Sequence, residues 1–82
     1  MVIVQYHPHF LKLFQKIRDA LLKEKIRKQM AKIVHNPEIG KPMQFDRKDT
    51  RELYIKPYRL SYAYIKAEEK VIFLDIYHKD EQ

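Results

Sequence analysis

The chain has 82 residues, of which 45% are hydrophobic and 34% are charged, with one glycine and no cysteine. This length and composition indicate a single folded domain over residues 1–82, and the lack of cysteine excludes disulfides and thiolate zinc sites. The formal net charge is +6, and such an excess of positive charge favours polyanionic partners.

The first elements are a short strand and the start of a helix. Val2–Tyr6 is rich in β-branched and aromatic residues and predicts a strand that stops at His7. Pro8 is well placed as an early residue of a helix because its fixed backbone angle suits the first turn.

Two apolar stripes with helical spacing follow, and they are out of phase. They consist of Phe10, Phe14, Ile17 and Leu21, and then of Leu22, Ile26, Met30 and Ile33. One unbroken helix over residues 8–35 would be about 42 Å long, too long for a domain of this size to cover. The phase slip at about residues 19–24 therefore predicts two helices joined by a tight turn, an αα-hairpin.

The positive charge is concentrated in this helical region. Residues 8–36 contain eight Lys or Arg and two acidic residues, an excess of six, whereas residues 37–82 contain nine of each. A basic helical surface can bind a polyanion by releasing its counterions. A solvated, lysine-rich helix face without a ligand explains the same pattern equally well.

Loops and strands make up the rest of the chain. Asn36-Pro37 ends the second helix, and residues 37–42 and 46–50 are predicted loops. The strand candidates are Met43–Phe45, Arg51–Lys56, Tyr58–Lys66 and Lys70–His78, with Ala67–Glu69 as a hairpin connection. This order predicts an α+β fold in which both helices pack on one face of an antiparallel sheet.

Alternation along the second long strand separates two faces. One carries Tyr58, Leu60, Tyr62 and Tyr64, and the other carries Arg59, Ser61, Ala63 and Ile65. The first set is the predicted core face. On the other face, Arg59 stands among small residues and has room to bind a phosphate. The alternative is an ordinary surface arginine in an ion pair with Glu52 or Asp75.

The last strand ends in a titratable pair. Ile72, Leu74 and Ile76 alternate with Phe73, Asp75 and Tyr77 before His78-Lys79 closes the strand. An imidazole beside an ammonium group can perform acid–base chemistry near an anion. The alternative is a solvent-exposed histidine without a role.

Metal and cofactor sites are not predicted. The histidines His7, His9, His35 and His78 have no spacing that fixes a metal geometry. A single glycine excludes a glycine-rich phosphate loop, and Ser61 lies within a strand instead of on the sharp turn of a nucleophile elbow.

Four segments, in register along nearly the whole chain, resemble motifs of the RelE/ParE toxin superfamily. Tyr6–Lys12 resembles the family's "Y-x-x-x-F-x-K", and Asn36–Pro42 resembles "NPxxGKPL" up to its last position. Arg51–Tyr62 resembles "R-S-L-R-V-G-x-Y-R-V-I-Y", and Val71–Lys79 resembles the closing "vvILxvxHR" strand. The family has Arg where this sequence has Tyr54 and Lys79, and a Tyr after the last motif that is not found here.

The resemblance implies a RelE-like fold, in which an N-terminal strand and an α-helical hairpin pack on a curved antiparallel sheet. It also implies a toxin of a type II toxin–antitoxin system, with an acidic, RelB-like antitoxin as partner. Many such toxins cleave mRNA on the ribosome, whereas members of the ParE branch act on DNA gyrase without cutting RNA. An inactive, basic RNA-binding module is a third possibility.

For mRNA cleavage, the resemblance assigns roles to six residues. A 2′-OH must lose a proton and attack the adjacent phosphate, and the charge on that phosphate must be stabilised. The implied catalytic residues are Arg59 as phosphate clamp, His78 as general acid or base, and Arg51 as a source of positive field; Lys56, Lys79 and Tyr54 would bind substrate.

Apolar stretches are too short for membrane insertion. Val71–Leu74 is far below the length of a membrane span, and Met1–Val4 is too short for the apolar region of a signal peptide. We therefore predict a cytoplasmic protein that does not contact a membrane.

Overall fold

The computed structural model describes residues 2–43 and 49–78. In chain order the elements are β1 (Ile3–Tyr6), α1 (Pro8–Lys16), α2 (Ala20–His35), β2 (Lys41–Pro42), β3 (Thr50–Ile55), β4 (Tyr58–Ile65) and β5 (Lys70–His78). A 3₁₀ turn, Lys66–Glu68, joins the last two strands, as the predicted hairpin connection requires. Within the described part of the chain, neither helix is long and apolar enough to cross a membrane.

The five strands form one open, mixed sheet in the order β1-β5-β4-β3-β2. The predicted antiparallel pairing holds from β2 to β5, but β1 pairs in parallel with β5. This pairing joins the first and the last strand of the sequence. It differs from the prediction because alternation within β1 specifies neither its partner nor its direction.

The predicted αα-hairpin is confirmed, but its break lies at residues 17–19, before most of the predicted phase slip at about residues 19–24. The side chain of Asp19 accepts hydrogen bonds from the backbone N–H groups of Leu21 and Leu22, at 2.9 and 3.2 Å. Asp19 therefore caps α2, because it satisfies two of the N–H groups that a helix leaves unpaired at its start. At α1, Pro8 occupies the first turn as predicted.

The core lies between the helices and one face of the sheet. Its fully buried side chains are Phe10, Ile26 and Ile33 from the helices and Leu60, Tyr62, Val71 and Phe73 from the sheet. Aromatic rings dominate one end of this layer, where Phe10 lies 5.6 Å from Phe73 between ring centroids. The predicted core face of β4 is confirmed by Leu60 and Tyr62.

A β-bulge in β5 changes the face on which its side chains lie. Ser61 pairs with Asp75 and Tyr62 pairs with Phe73, so Leu74 is an extra residue without a partner on β4. Phe73 is buried on the helix side, whereas Asp75 lies opposite Ser61 on the other side. The simple alternation expected for the last strand therefore fails at Leu74.

The segment before β2 is attached to the core by Tyr62. Its hydroxyl donates to the Pro37 carbonyl at 2.7 Å and accepts from the Gly40 N–H at 2.8 Å. Burial raises the pKa of the Tyr62 phenol, although the Gly40 hydrogen bond and Arg51 oppose that rise, so the hydroxyl keeps its proton. A Cβ at Gly40 would lie only 2.5 Å from the Tyr62 hydroxyl.

The boundaries near β2 differ from the prediction. β2 forms at Lys41–Pro42, inside the predicted loop, and β3 begins at Thr50, one residue before the predicted strand. Of the strand candidate Met43–Phe45, Met43 is outside any strand and the other two residues lie outside the described part of the chain.

Candidate functional site

The sheet face that points away from the helices, called here the open face, carries a row of polar side chains. Cross-strand register places on it Glu52 and Tyr54 of β3, Arg59 and Ser61 of β4, and Asp75 and Tyr77 of β5. Ser61 is small and buried, so the longer side chains around it can meet above it. The open face therefore brings polar side chains of three neighbouring strands together.

Arg59 belongs to a three-residue network on this face. Its Nη1 lies 2.7 Å from Glu52 Oε1, and the Tyr77 hydroxyl donates to Glu52 Oε2 at 2.6 Å. The ion pair is only partly exposed, at 29% for Arg59 and 20% for Glu52. Arg59 thus forms the ion pair with Glu52 that one interpretation of the sequence predicted. Its location among small residues agrees with the other interpretation, that of a phosphate-binding arginine.

One donor of Arg59 is not satisfied within this network. Its Nε is buried and has no hydrogen-bond partner among residues 2–43 and 49–78. A buried N–H without an acceptor costs free energy. An anionic ligand can supply the missing acceptor only after the side chains that cover Nε move aside.

The phenol of Tyr77 is held in its neutral form. Burial raises the pKa of Tyr77 above its ordinary value, and the hydrogen bond and negative charge of Glu52 raise it further, while Arg59 lowers it. Tyr77 therefore remains a hydrogen-bond donor at neutral pH. It can donate to Glu52 or to a phosphate oxygen that takes the place of the carboxylate.

A groove of about 360 Å³ runs beside the network and is lined by Lys41, Glu52, Tyr54 and Arg59. Tyr54 is opposite Arg59 in the register and is 52% exposed. An exposed aromatic ring beside a guanidinium offers a stacking surface next to a phosphate site. Lys41 was not assigned a role from the sequence, because only the pairing of Lys41 with Glu52 brings it to the groove.

Arg51, a predicted catalytic residue, lies on the opposite face. It pairs with Tyr62 in the register, and its Nη1 donates to the carbonyls of Gly40 at 2.7 Å and Glu38 at 3.1 Å. A longer ion pair of 3.8 Å joins it to the Glu38 carboxylate. The structure therefore uses Arg51 to hold the segment before β2 and does not bring it together with Arg59.

His78 is also on the helix side of the sheet. It pairs with Tyr58, and the two rings meet edge to face at 5.3 Å between centroids. Tyr77, the preceding residue, is the one that pairs with Arg59. The predicted combination of Arg59 with His78 at one phosphate is therefore not formed in this structure.

Lys56 lies in a second, basic groove. This groove has a volume of about 590 Å³, lies between the turn of the helical hairpin and the β3–β4 turn, and is lined among others by Lys16, Arg18, Lys25 and Lys56. Lys56 is thus grouped with the basic helices instead of with Arg59. Lys79, the other predicted substrate-binding lysine, is outside the described residues.

A histidine that the sequence analysis considered only as a metal ligand reaches the edge of the open face. His9 Nε2 lies 3.2 Å from Asp75 Oδ1, and both side chains are partly exposed. The sequence gave no signal for this pair, because His9 is on α1 and Asp75 is on β5. The described residues contain no group of His, Asp and Glu that could hold a metal ion.

Comparison with known families decides the identity of the fold. A sequence model of the ParE toxin of type II toxin–antitoxin systems matches residues 4–82. This chain belongs to the ParE toxin family. It is therefore a toxin of the RelE/ParE superfamily, and the resemblance noted in the sequence motifs is confirmed. No curated protein sequence is significantly similar to it.

Solved structures of related toxins share the fold of this toxin. The isolated E. coli RelE toxin is 17% identical and covers 100% of this chain and 88% of its own, with a TM-score of 0.84. The toxin in the intact E. coli RelBE toxin–antitoxin complex is 18% identical and covers 95% and 96%, with a TM-score of 0.81. The YoeB/ParE toxin from Agrobacterium tumefaciens is 13% identical and covers 94% and 98%, also with 0.81.

Proposed function

We propose that this toxin inhibits translation by cutting mRNA on the ribosome, with the open face of its sheet as the site. In this reaction a 2′-OH attacks the adjacent phosphate. The observation that carries the proposal is the position of Arg59, whose buried Nε lacks an acceptor within the described residues and whose guanidinium borders the groove of Tyr54 and Lys41. An arginine in this setting suits a phosphate.

Without a substrate, Nη1 of Arg59 is occupied by its ion pair with Glu52. Glu52 compensates the charge of Arg59 while no substrate is bound, which lowers the attraction for anions in general. To bind here, a phosphate must replace Glu52 as the hydrogen-bond partner of Arg59 Nη1 or accept a hydrogen bond from the unpaired Nε. Because both groups are largely shielded from water, either contact would be stronger than one at an exposed site.

Tyr54 and Lys41 complete the proposed substrate site. Tyr54 is exposed beside Arg59 and can stack on a base, as the sequence predicted for substrate binding. Lys41 lines the same groove and can neutralise a neighbouring phosphate. A single-stranded nucleotide would then be held by one ring and two positive charges.

The basic groove between the helical hairpin and the β3–β4 turn is proposed to bind ribosomal RNA. It combines Lys56 with Lys16, Arg18 and Lys25, and the helices carry the positive excess of the chain. Lys56 would accordingly contact the ribosome instead of the scissile phosphate. The roles given to Arg51, His78 and Lys79 by the resemblance stay predictions.

An acidic antitoxin is the proposed partner, and the cytoplasm is the proposed location, because ribosomes and mRNA are found there. The toxin of similar fold in the E. coli complex is bound to its RelB antitoxin, and the net charge of +6 favours an acidic chain as partner here. No cofactor is required for the proposed reaction, since every group it uses is a side chain.

Growth and mRNA integrity in cells test the proposal. Induction of the wild type should arrest growth and leave cuts in translated mRNA, whereas Arg59→Ala should grow and leave mRNA intact. Lys70→Ala is the matched control, because Lys70 pairs with Glu68 away from the groove and its loss should leave the arrest unchanged. Equal arrest and cutting by Arg59→Ala would contradict the role of Arg59.

A second candidate is a toxin that acts on DNA gyrase without cutting RNA, as the name of the ParE family suggests. Two observations favour it: Glu52 compensates Arg59, and His78 lies on the other face of the sheet. It predicts DNA-damage signalling with intact mRNA after induction. An inactive RNA-binding module would instead cause neither arrest nor DNA damage.

A further inference from the structure

Lys41 lies directly opposite Glu52 at one edge of the sheet. The two residues are paired in the register of β2 and β3, so their side chains leave the sheet on the same face, with Cβ atoms about 4.5–5.5 Å apart. Both line the groove beside Arg59. Lys41 is exposed, and within residues 2–43 and 49–78 no carboxylate forms an ion pair with it. Because lysine has a flexible four-carbon stem, its ammonium group is a second cation within reach of Glu52.

Both carboxylate oxygens of Glu52 are used on the side away from Lys41. Oε1 accepts from Arg59 Nη1 at 2.7 Å, and Oε2 accepts from the Tyr77 hydroxyl at 2.6 Å. The Glu52 side chain is only 20% exposed, and a carboxylate so shielded from water is destabilised when it loses its cation. A phosphate that displaces Glu52 from Arg59 therefore leaves a carboxylate that needs another positive partner.

We propose that Glu52 moves from Arg59 to Lys41 when a phosphate binds, and that Lys41 is the positioning residue that allows this exchange. The inference rests on the proposed binding of a phosphate at the open face, and it gives Lys41 a role beyond contact with a neighbouring phosphate. In the exchange, Arg59 Nη1 donates to a phosphate oxygen, and the Glu52 carboxylate accepts from the Lys41 ammonium. The Tyr77 hydroxyl, released by the same movement, becomes a second donor to the phosphate.

The charges in the groove favour one kind of anion. Arg59 and Lys41 are positive and Glu52 is negative, so the three side chains together carry one net positive charge, which one phosphodiester neutralises. A terminal phosphate monoester carries a charge of about −1.5 to −2 at neutral pH and would leave excess negative charge beside Glu52. The exchange therefore favours a phosphate inside a nucleic-acid chain over a terminal phosphate.

Titration with a 2′-O-methylated RNA trinucleotide tests the inference separately from cleavage, because this RNA has no free 2′-OH to attack its phosphates. The NMR signal of the Arg59 Nε–H group, identified by its loss in Arg59→Lys, reports binding at this site and not at the basic groove. Glu52→Gln keeps the size and an acceptor of the side chain but removes its charge. It should bind about tenfold more tightly than wild type, the value of one charge-assisted hydrogen bond.

Lys41 is tested both in the wild type and in Glu52→Gln. Lys41→Met should weaken binding about tenfold in the wild type, but less than about fivefold in Glu52→Gln, where no carboxylate needs a second cation. Such a difference between backgrounds measures the coupling of the two residues. Lys41→Arg keeps the charge and should bind as wild type. Lys70→Met is the control of equal charge, because Lys70 pairs with Glu68 away from the groove, and it should also bind as wild type.

Three results would overturn the inference. They are binding by folded Glu52→Gln that is no tighter than wild type, an equal effect of Lys41→Met in both backgrounds, and equal binding by Lys41→Met and wild type. The last comparison needs no Glu52 variant, and Lys41 is at an exposed position, where substitution leaves the fold intact. An Arg59 signal that responds in neither wild type nor Glu52→Gln would overturn the open face as an RNA site as well. The expected binding pattern combined with intact mRNA on ribosomes would contradict the proposed cleavage alone.

Discussion

At the scale of single residues, Glu52 controls the state of the open face. It holds Arg59 Nη1 at 2.7 Å and the Tyr77 hydroxyl at 2.6 Å. Both interactions compete with a phosphate, since a carboxylate and a phosphate accept from the same donors. If the proposed function holds, Glu52 determines how readily Arg59 and Tyr77 become available to a substrate.

Glu52→Gln should lower the pKa of Tyr77. Burial is the largest cause that raises this pKa, and the hydrogen bond and the negative charge of Glu52 raise it further, while Arg59 lowers it. Removal of the charge leaves burial as the main cause that still raises the pKa, so the pKa should fall without losing that contribution. Spectroscopic titration of the phenols at alkaline pH measures the change. Glu68→Gln is the control, because Glu68 pairs with Lys70 elsewhere; an unchanged Tyr77 titration in Glu52→Gln would contradict the network.

Gly40→Ala should destabilise the toxin by about 1–3 kcal/mol. The added Cβ would meet the Tyr62 ring and hydroxyl at 2.5–2.9 Å, and that ring is buried in the core and cannot move away freely. Chemical denaturation gives the free energy of unfolding. Lys41→Ala, at the exposed neighbouring position, should be nearly neutral, and equal stability of the two variants would show that the contact is not tight.

The structure places some predicted site residues on the expected face of the sheet and others on the opposite face, for a physical reason. Alternation along β4 predicts that Arg59 lies on the face away from the core, and the structure agrees, because β4 is regular at that point. Arg51 and His78 face the other side, and their contacts come from the segment before β2 and from Tyr58. The spacing of residues along one strand cannot reveal such contacts.

At the scale of elements, the bulge in β5 decides which side chains share a face. Before the bulge, the odd-numbered residues of β5 up to Phe73 lie on the core side. After Leu74, the even-numbered residues Ile76 and His78 lie there instead. Helices, strands and turns were largely predictable because apolar periodicity and turn residues are local signals. The bulge and the parallel pairing of β1 with β5 could not be predicted, because both depend on pairing between segments that are far apart in the sequence.

Asp19→Ala should destabilise the toxin by about 1 kcal/mol, through the start of α2. Asp19 accepts from the N–H groups of Leu21 and Leu22, and alanine leaves both without that acceptor. Thermal unfolding followed by circular dichroism checks the loss. Asp19→Ser retains a capping oxygen and should remain close to wild type; if serine were as damaging as alanine, capping would not be the cause.

At the scale of the whole molecule, the basic groove and the Arg59–Glu52–Tyr77 network lie on different surfaces. The basic groove is built from the helical hairpin and the β3–β4 turn, whereas Arg59, Glu52 and Tyr77 are on the far side of the sheet. The proposed function gives the first surface to the ribosome and the second to mRNA. Substitutions on the two surfaces should therefore affect different steps.

Lys16→Ala and Lys25→Ala should weaken ribosome binding without altering the cleavage step. Each lost phosphate contact should reduce the slope of log affinity against log salt by about 0.7–0.9. Equilibrium binding at several salt concentrations measures the slope, and Lys70→Ala serves as the control of equal charge. A salt dependence that is the same in all variants would remove the basic groove from the interface.

The most direct measurement is the mapping of mRNA ends after purified toxin is added to programmed ribosomes. The wild type should produce cuts with 2′,3′-cyclic phosphate and 5′-OH ends, and Arg59→Ala, still folded and still bound, should cut at least about 10²-fold more slowly. Intact mRNA with the wild type, or equal cutting by Arg59→Ala, would contradict the assignment of the open face as the catalytic site.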